Sequence, residues 1–355
     1  MENMVKTSFW TGKKVFVTGH TGFKGGWLVQ TLKVLGADIK GYSLEPSTKP
    51  CFFEAANVET GIISEIGDIR DIEKLSKSVA EFKPEVIFHL AAQPLVRYSY
   101  ENPKETYEVN VIGTLNLLEA VRLVDSIKAV VLITTDKCYE NKEWVYGYRE
   151  IDPMGGYDPY SSSKGCCELL ISSYRNSYFS QSKTKIASAR AGNVIGGGDW
   201  SDDRLIPDLL KAIENNQEPI LRNPLAVRPW QHVLEPIGGY MKLAEGLYNG
   251  EKGIDQAWNF GPNDTDCRSV EWVTNTILKL YDFQSSWKQD QNFNPHEAQL
   301  LKLDISKAKN RLSWRPKWEL RQSLEKIVQW HKTFLSDKGA ELITKKQIIE
   351  YLENE

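Results

Sequence analysis

Tyr160 and Lys164 lie four residues apart in Tyr160-Ser161-Ser162-Ser163-Lys164. On a helix this spacing brings both side chains to one face. An ammonium beside a phenol favours phenolate, and a phenolate can accept the proton of a sugar hydroxyl while hydride leaves its carbon. Far upstream, Gly19, Gly22 and Gly25 follow a short apolar run at 14–18. In a strand-to-helix turn the first glycine permits the tight bend, the second lets the backbone approach a pyrophosphate, and the third lets helix pack on strand. The helix N-terminus then offers amide N–H groups to phosphate oxygens. Either motif alone occurs by chance. In this order and at this separation they point to a chain that binds a dinucleotide and moves a hydride.

A third polar group, Thr135-Asp136-Lys137, ends the apolar run 129–134. A Thr–Asp pair can simply cap a turn. At the carboxyl end of a parallel strand, where open α/β sheets bind ligands, it is placed for chemistry. The second strand, within 38–44, brings Ser43 to the place where a ribose-binding carboxylate is usual, and Glu45 comes slightly late. With no arginine beside it in the sequence, this end favours NAD over NADP. Asp68 and Ile69 follow a third strand-like segment and suit the adenine amino group and ring. A solvated loop carboxylate is the other reading of Asp68.

The elements that must position these residues are legible as short apolar runs at 14–18, 38–44, 86–90, 129–134 and 186–190, with helical spacing over 24–36 and 109–124. Strands alternating with helices imply an α/β fold, a Rossmann-type doubly wound parallel sheet with a smaller C-terminal substrate-binding lobe. Residues 10–192 are assigned to an NAD-binding Rossmann domain carrying the catalytic residues. Residues 193–335 form mainly the nucleotide-sugar lobe, with segments returning to the first domain, and 336–355 a peripheral C-terminal helix. The length, 355 residues, suffices for about two domains. A balance of 44 basic and 47 acidic residues leaves no electrostatic footprint for nucleic acid or an anionic membrane. Residues 1–14 lack the apolar core of a signal peptide, and no run approaches a membrane span, so a cytoplasmic protein is expected. The five cysteines and five histidines show neither metal-ligand nor disulfide spacing.

Four stretches carry a resemblance: Gly19-His20-Thr21-Gly22-Phe23-Lys24-Gly25-Gly26-Trp27, His89-Leu90-Ala91-Ala92-Gln93, Tyr160 with Lys164, and Arg190-Ala191-Gly192-Asn193-Val194. On these the chain resembles an extended short-chain dehydrogenase/reductase of the nucleotide-sugar-modifying type. The longer runs 135–144, 192–200, 228–233 and 295–298 resemble the branch that dehydrates CDP-glucose across C4 and C6. The resemblance implies that Thr21, Phe23, Leu90, Ala91 and Ala92 join Gly19, Gly22, Gly25, Ser43, Asp68, Ile69, Tyr160 and Lys164 in holding NAD. Hydride taken from C4 returns to C6, so NAD is regenerated each turnover. Tyr160 is then the C4 base, Thr135 shares the bond to O4, and Asp136 is the C6 acid. In the related dTDP-sugar dehydratases the position of Lys137 is a glutamate, the C5 base. Lys137 either takes the C5 proton itself or stabilises the enolate while another group does.

Gln93, Asn193, Arg228, Trp230 and His296 are expected to bind the CDP-glucose. Asn193 and Arg228 would meet the diphosphate, and His296 a phosphate or ribose hydroxyl, with a structural histidine as its alternative. Trp230 belongs either to the core or to the base pocket. A homodimer or homotetramer through 109–124 and 160–180 is implied, as is a product feeding deoxysugars of bacterial surface polysaccharide such as O-antigen. A 4-epimerase or a reductase of the same fold needs Tyr160 and Lys164 but no acid at Asp136 followed by a second ionisable group. An NAD sensor without turnover would typically lose the tyrosine.

Overall fold

Each apolar run becomes a strand of one parallel sheet. The computed structural model describes residues 7–291, 300–336 and 339–353. Strands β1 (Lys14–Thr18), β2 (Asp38–Ser43), β3 (Ile63–Ile66), β4 (Val86–His89), β5 (Ala129–Thr134), β6 (Lys185–Arg190) and β7 (Ala257–Asn259) form a seven-stranded sheet in the order β3-β2-β1-β4-β5-β6-β7. Every pairing in it is parallel. The chain winds outward from β1 to β3, then crosses back to β4. That reversal leaves a crevice between the carboxyl ends of β1 and β4, where such sheets bind ligands.

Alternation along the strands divides the core. Val15, Val17, Val131 and Ile133 pack on one face, and Phe16, Val130 and Leu132 on the other. The first face is covered by α1 (Phe23–Val34) and α6 (Leu234–Tyr248). The second is covered by α2 (Ile72–Phe82), α3 (Gly113–Arg122) and α4 (Pro159–Tyr174). A separate apolar cluster joins Ile195, Leu209, Trp230, Val273 and Ile327, drawn partly from α5 (Leu205–Glu214), α7 (Val270–Leu280) and α8 (Leu320–Leu335). The short strand β7 comes from this second half of the chain and adds to the edge of the main sheet beside β6.

One segment differs from the regular helix expected. The helix read over 109–124 opens with a π-turn, Glu108–Ile112, before α3. The Asn110 carbonyl there accepts from the Thr114 hydroxyl at 2.6 Å and the Cys167 thiol at 3.1 Å, which draws it out of the regular ladder. The last helix, α9 (Ala340–Glu353), keeps Leu342 and Ile349 exposed and packs its other face against the fold. It buries Ile343, Thr344, Ile348 and Tyr351. Trp330 of α8 donates to the Thr344 hydroxyl at 2.8 Å. The same indole stacks on Phe52, which stacks on Trp27 of α1, so the end of the chain braces the helix behind the glycine turn.

Candidate active site

The glycine turn is built for close approach. Gly19 has a φ of +77°, and a Cβ there would lie 2.7 Å from the Ala91 nitrogen, so the 90–92 segment crosses directly over the turn. A Cβ on Gly25 would lie 2.0 Å from the Gly19 oxygen. Gly22 is the N-cap of α1 and supplies no side-chain cap, which leaves the first amides of the helix free for an anion. Beyond the turn, the Ser43 and Thr21 hydroxyls bond at 2.9 Å at the end of β2. Ile69 is buried at the foot of α3. Bare helix amides, neutral hydroxyls at the ribose position and an apolar floor fit a dinucleotide.

Asp68 has less freedom than its spacing suggests. Arg70 grips both carboxylate oxygens, with Nη2 2.6 Å from Oδ2 and Nε 3.1 Å from Oδ1. The arginine missing from the sequence neighbourhood of Ser43 is thus present near the adenosine end, but it is neutralised by Asp68 and by Glu105 at 3.6 Å.

Helix α4 carries the central pair. Asp158 caps it by accepting from the Ser161 N–H, and Pro159 occupies the first turn, where its missing N–H costs nothing. The Tyr160 N–H donates to the Ser99 hydroxyl at 3.1 Å. One turn beyond Lys164, Glu168 takes the Arg190 guanidinium at 2.6 Å and the Ser188 hydroxyl at 2.8 Å, and also bonds Thr134. Burial opposes this carboxylate, but Arg190 and the two hydroxyls prevail and hold it below its usual range. This buried pair ties α4 to β5 and β6, and so fixes Tyr160 against Thr135.

Tyr160, Lys164, Thr135 and Asp136 come together at the end of β5. Burial pushes the Tyr160 phenol up, the Thr135 hydrogen bond pulls it down, Asp136 pushes it up again and Arg204 lowers it. The influence expected from Lys164 is not among these. Its Nζ faces the Ile133 carbonyl at 3.5 Å, and burial lowers its own affinity for a proton. The long stem turns toward the sheet although the two residues share a helix face. Thr135 donates to Asp136 Oδ1 at 2.9 Å and Asn193 donates to Oδ2 at 3.3 Å. The carboxyl rests on Gly192, where a Cβ would lie 1.9 Å from Oδ2. Asn193 holds a left-handed φ of +48° to reach it, a conformation that asparagine tolerates. Lys137 is exposed beside this group.

All of these line a cleft of about 1360 Å³, together with Ser43, Asp68, Ile69, Leu90, Gln93, Asn193, Arg228 and Trp230. Gln93 shapes the cleft wall. Its amide donates to Thr106 at 2.9 Å, its side-chain oxygen accepts from the Leu95 N–H, and its backbone N–H is held by Asn110. Trp230 answers both of its readings, being buried in the second apolar cluster and also facing the cleft. Arg228 donates to the Val227 carbonyl at 3.1 Å from its place in the cleft wall. His296 lies outside the described residues. Sequence reasoning missed Lys24, Asp199, Arg204 and Tyr240. Arg204 pairs with Asp199 at 2.9 Å while acting on Tyr160. Lys24 sits inside the glycine motif, and its being charged in an otherwise small and apolar run was the available signal.

A doubly wound sheet with a glycine turn on β1 and a Tyr–Lys helix at its carboxyl edge defines a dinucleotide-dependent enzyme of the short-chain dehydrogenase/reductase class. The chain belongs to the GDP-mannose 4,6 dehydratase family, whose description matches residues 16–327. It is 54% identical to a CDP-glucose 4,6-dehydratase of Salmonella typhimurium over 354 residues, 98% of this chain and 99% of that one. Among solved structures it resembles a UDP-glucose 4-epimerase of Thermotoga maritima, with a TM-score of 0.80 and 22% identity over 91% of this chain and 99% of that one. It also resembles a dTDP-glucose 4,6-dehydratase of Bacillus anthracis in complex with NAD, with a TM-score of 0.76 and 23% identity over 91% and 97%.

Proposed function

We propose that the protein converts CDP-D-glucose to CDP-4-keto-6-deoxy-D-glucose and water, using tightly bound NAD. The observation that carries this reading is the Thr135 hydroxyl standing between the Tyr160 phenol and the Asp136 carboxyl, with Lys137 next in line. The sites for O4, C6 and C5 of one sugar are thus adjacent. The nucleotide follows from the CDP-glucose 4,6-dehydratase that this chain resembles along its whole length. NAD, held at the glycine turn and the 90–92 segment, would supply the hydride acceptor for C4 and the hydride donor for C6.

Tyr160 accepts the O4 proton while Thr135 holds the oxygen in line. Lys164 holds the nicotinamide ribose. Ketone formation at C4 acidifies C5–H, and Lys137 removes that proton. Asp136, oriented by Thr135 and Asn193, gives a proton to the departing C6 hydroxyl. The Gly19–Gly25 turn, Thr21, Phe23, Ser43, Ile69 and 90–92 hold the dinucleotide. Asn193 and Arg228 take the diphosphate end of the substrate, His296 a phosphate or ribose hydroxyl, and Trp230 lines the base pocket. We assign 10–192 to the cofactor and 193–335 to the nucleotide sugar. Exposed Ile112, Leu123, Leu169 and Tyr178 support a homo-oligomer built on the 109–124 and 160–180 helices. No helix among the described residues is long and apolar enough to cross a membrane, which accords with a cytoplasmic enzyme supplying deoxysugar synthesis.

Mass spectrometry of product formed in deuterium oxide, with NAD and CDP-, dTDP-, GDP- or UDP-hexoses, tests the reading. The expected result is loss of water and gain of one deuterium from CDP-glucose, without net NADH. Isomerisation without water loss would replace it with an epimerase.

A further inference from the structure

Two side chains of the site trade protons with the sugar in opposite directions. Tyr160 gains one from O4, and Asp136 loses one to the departing C6 hydroxyl. The proton that leaves C5 is replaced at C5 and does not alter this balance. After one turnover Tyr160 therefore holds a proton too many and Asp136 one too few. Neither can act again until a proton has passed from the first to the second.

The Thr135 hydroxyl joins them. It donates to Asp136 Oδ1 at 2.9 Å and accepts the Lys137 N–H at 3.3 Å, and a third hydrogen bond ties it to the Tyr160 phenol. A threonine hydroxyl has one hydrogen and two lone pairs. Its hydrogen is committed to Asp136 and one lone pair to Lys137, so the phenol is the donor in the third bond. The result is a chain of fixed sense, from Tyr160 through Thr135 to Asp136. Asn193 donates to Oδ2 of the same carboxyl at 3.3 Å, which leaves Oδ1 to the threonine. All three members of the chain are buried, which hinders exchange with bulk water. A threonine that only capped the turn after β5 would need the Lys137 contact alone.

We propose, on the dehydratase reading of this site, that Thr135 is a proton relay that hands the proton taken from O4 to Asp136. The O4–H bond breaks, and its proton goes to the Tyr160 oxygen. Asp136 then gives its own proton to the C6 oxygen as the C6–O bond breaks. With that step the Tyr160 proton moves to Thr135 Oγ1, and the Thr135 hydrogen moves to Asp136 Oδ1. Water leaves, and phenolate, hydroxyl and carboxylic acid stand as they began. The relay consumes no oxidant, no reductant and no solvent proton. A departing hydroxyl group is a stronger base than a phenolate, so elimination draws the proton along the chain.

Quench-flow turnover of CDP-glucose by the full chain with NAD, in rising imidazole at fixed pH and ionic strength, tests this. Thr135→Val keeps the shape and removes the hydroxyl, and Thr135→Ser keeps the hydroxyl. Wild type and Thr135→Ser should be indifferent to imidazole and show no burst. In Thr135→Val the first turnover should outpace the later ones, which should run about a hundredfold below wild type. Imidazole should lift those later turnovers by serving Asp136 in place of the relay. A Thr135→Val chain equally slow in every turnover and unmoved by imidazole overturns the proposal, because Thr135 then only holds O4. A wild-type rate that climbs with imidazole overturns it as well, and that measurement requires no variant to fold. A wild-type chain that releases no water from CDP-glucose overturns the dehydratase reading beneath it.

Discussion

Gly192→Ala is the sharpest probe of how Asp136 is placed. An added Cβ would stand 1.9 Å from Oδ2 and 2.0 Å from Cγ of that carboxyl. Ordinary contact begins near about 3.4 Å, so the carboxyl must withdraw by roughly 1.5 Å or turn out of its bonds to Thr135 and Asn193. Misplacing a reacting group by about 1 Å costs on the order of a hundredfold in rate. The expected outcome is therefore a fall in kcat of about a hundredfold, carried by water loss and not by oxidation at C4. Single-turnover spectroscopy reads this directly. NADH should accumulate to a higher level than in wild type, because C4 oxidation proceeds and elimination stalls. NAD affinity should be unchanged, since the glycine turn and Ser43 lie elsewhere in the cleft. Asp136→Ala supplies the control. If Gly192→Ala acts through Asp136, it adds little in that background, as coupled neighbours do. An equal loss in both backgrounds, or wild-type turnover in the single variant, would refute the reasoning.

Other expectations are briefer. Tyr160→Phe should bind NAD normally and lose about a thousandfold in kcat, because a positioned acid–base group contributes at that order. Lys137→Met should end exchange of the C5 proton with deuterium oxide while C4 oxidation persists, and retained exchange would assign the C5 base elsewhere. Glu235 accepts backbone N–H groups of Lys317 and Trp318 and the Tyr351 hydroxyl, yet burial raises its carboxyl from the ordinary 4.5 to about 7. A carboxyl raised on folding contributes stability that is complete below 4.5 and lost as pH rises through 7. The melting temperature of wild type relative to Glu235→Gln should therefore fall between pH 5 and pH 8, and a constant difference would contradict this.

The strands were readable where they are buried on both faces. The run 129–134 is apolar throughout because no position of β5 meets solvent, and all six residues are buried. The three residues of β7 gave no such signal, since their strand character depends on β6 lying beside them. Tyr160, Lys164 and Thr135-Asp136-Lys137 were legible because each group is local in sequence. Arg204 and Asp199 were not, because their proximity to Tyr160 arises only when the loop before α5 folds over the sheet. Asp68 and Gln93 show the opposite limit. Both line the cleft, but Arg70, Thr106 and Leu95 already claim their polar atoms. A sequence shows which atoms can bond and not which neighbour reaches them first.

The brace between α9 and α1 has a consequence for how the protein is made. The glycine turn and α1 are synthesised long before Trp330 and Thr344, through which Phe52 is pressed against Trp27. Helix α1 cannot acquire this backing until α8 and α9 have been made. A nascent chain arrested before residue 340 should hold a sheet without a firm cofactor seat, so firm capture of the dinucleotide waits for α9.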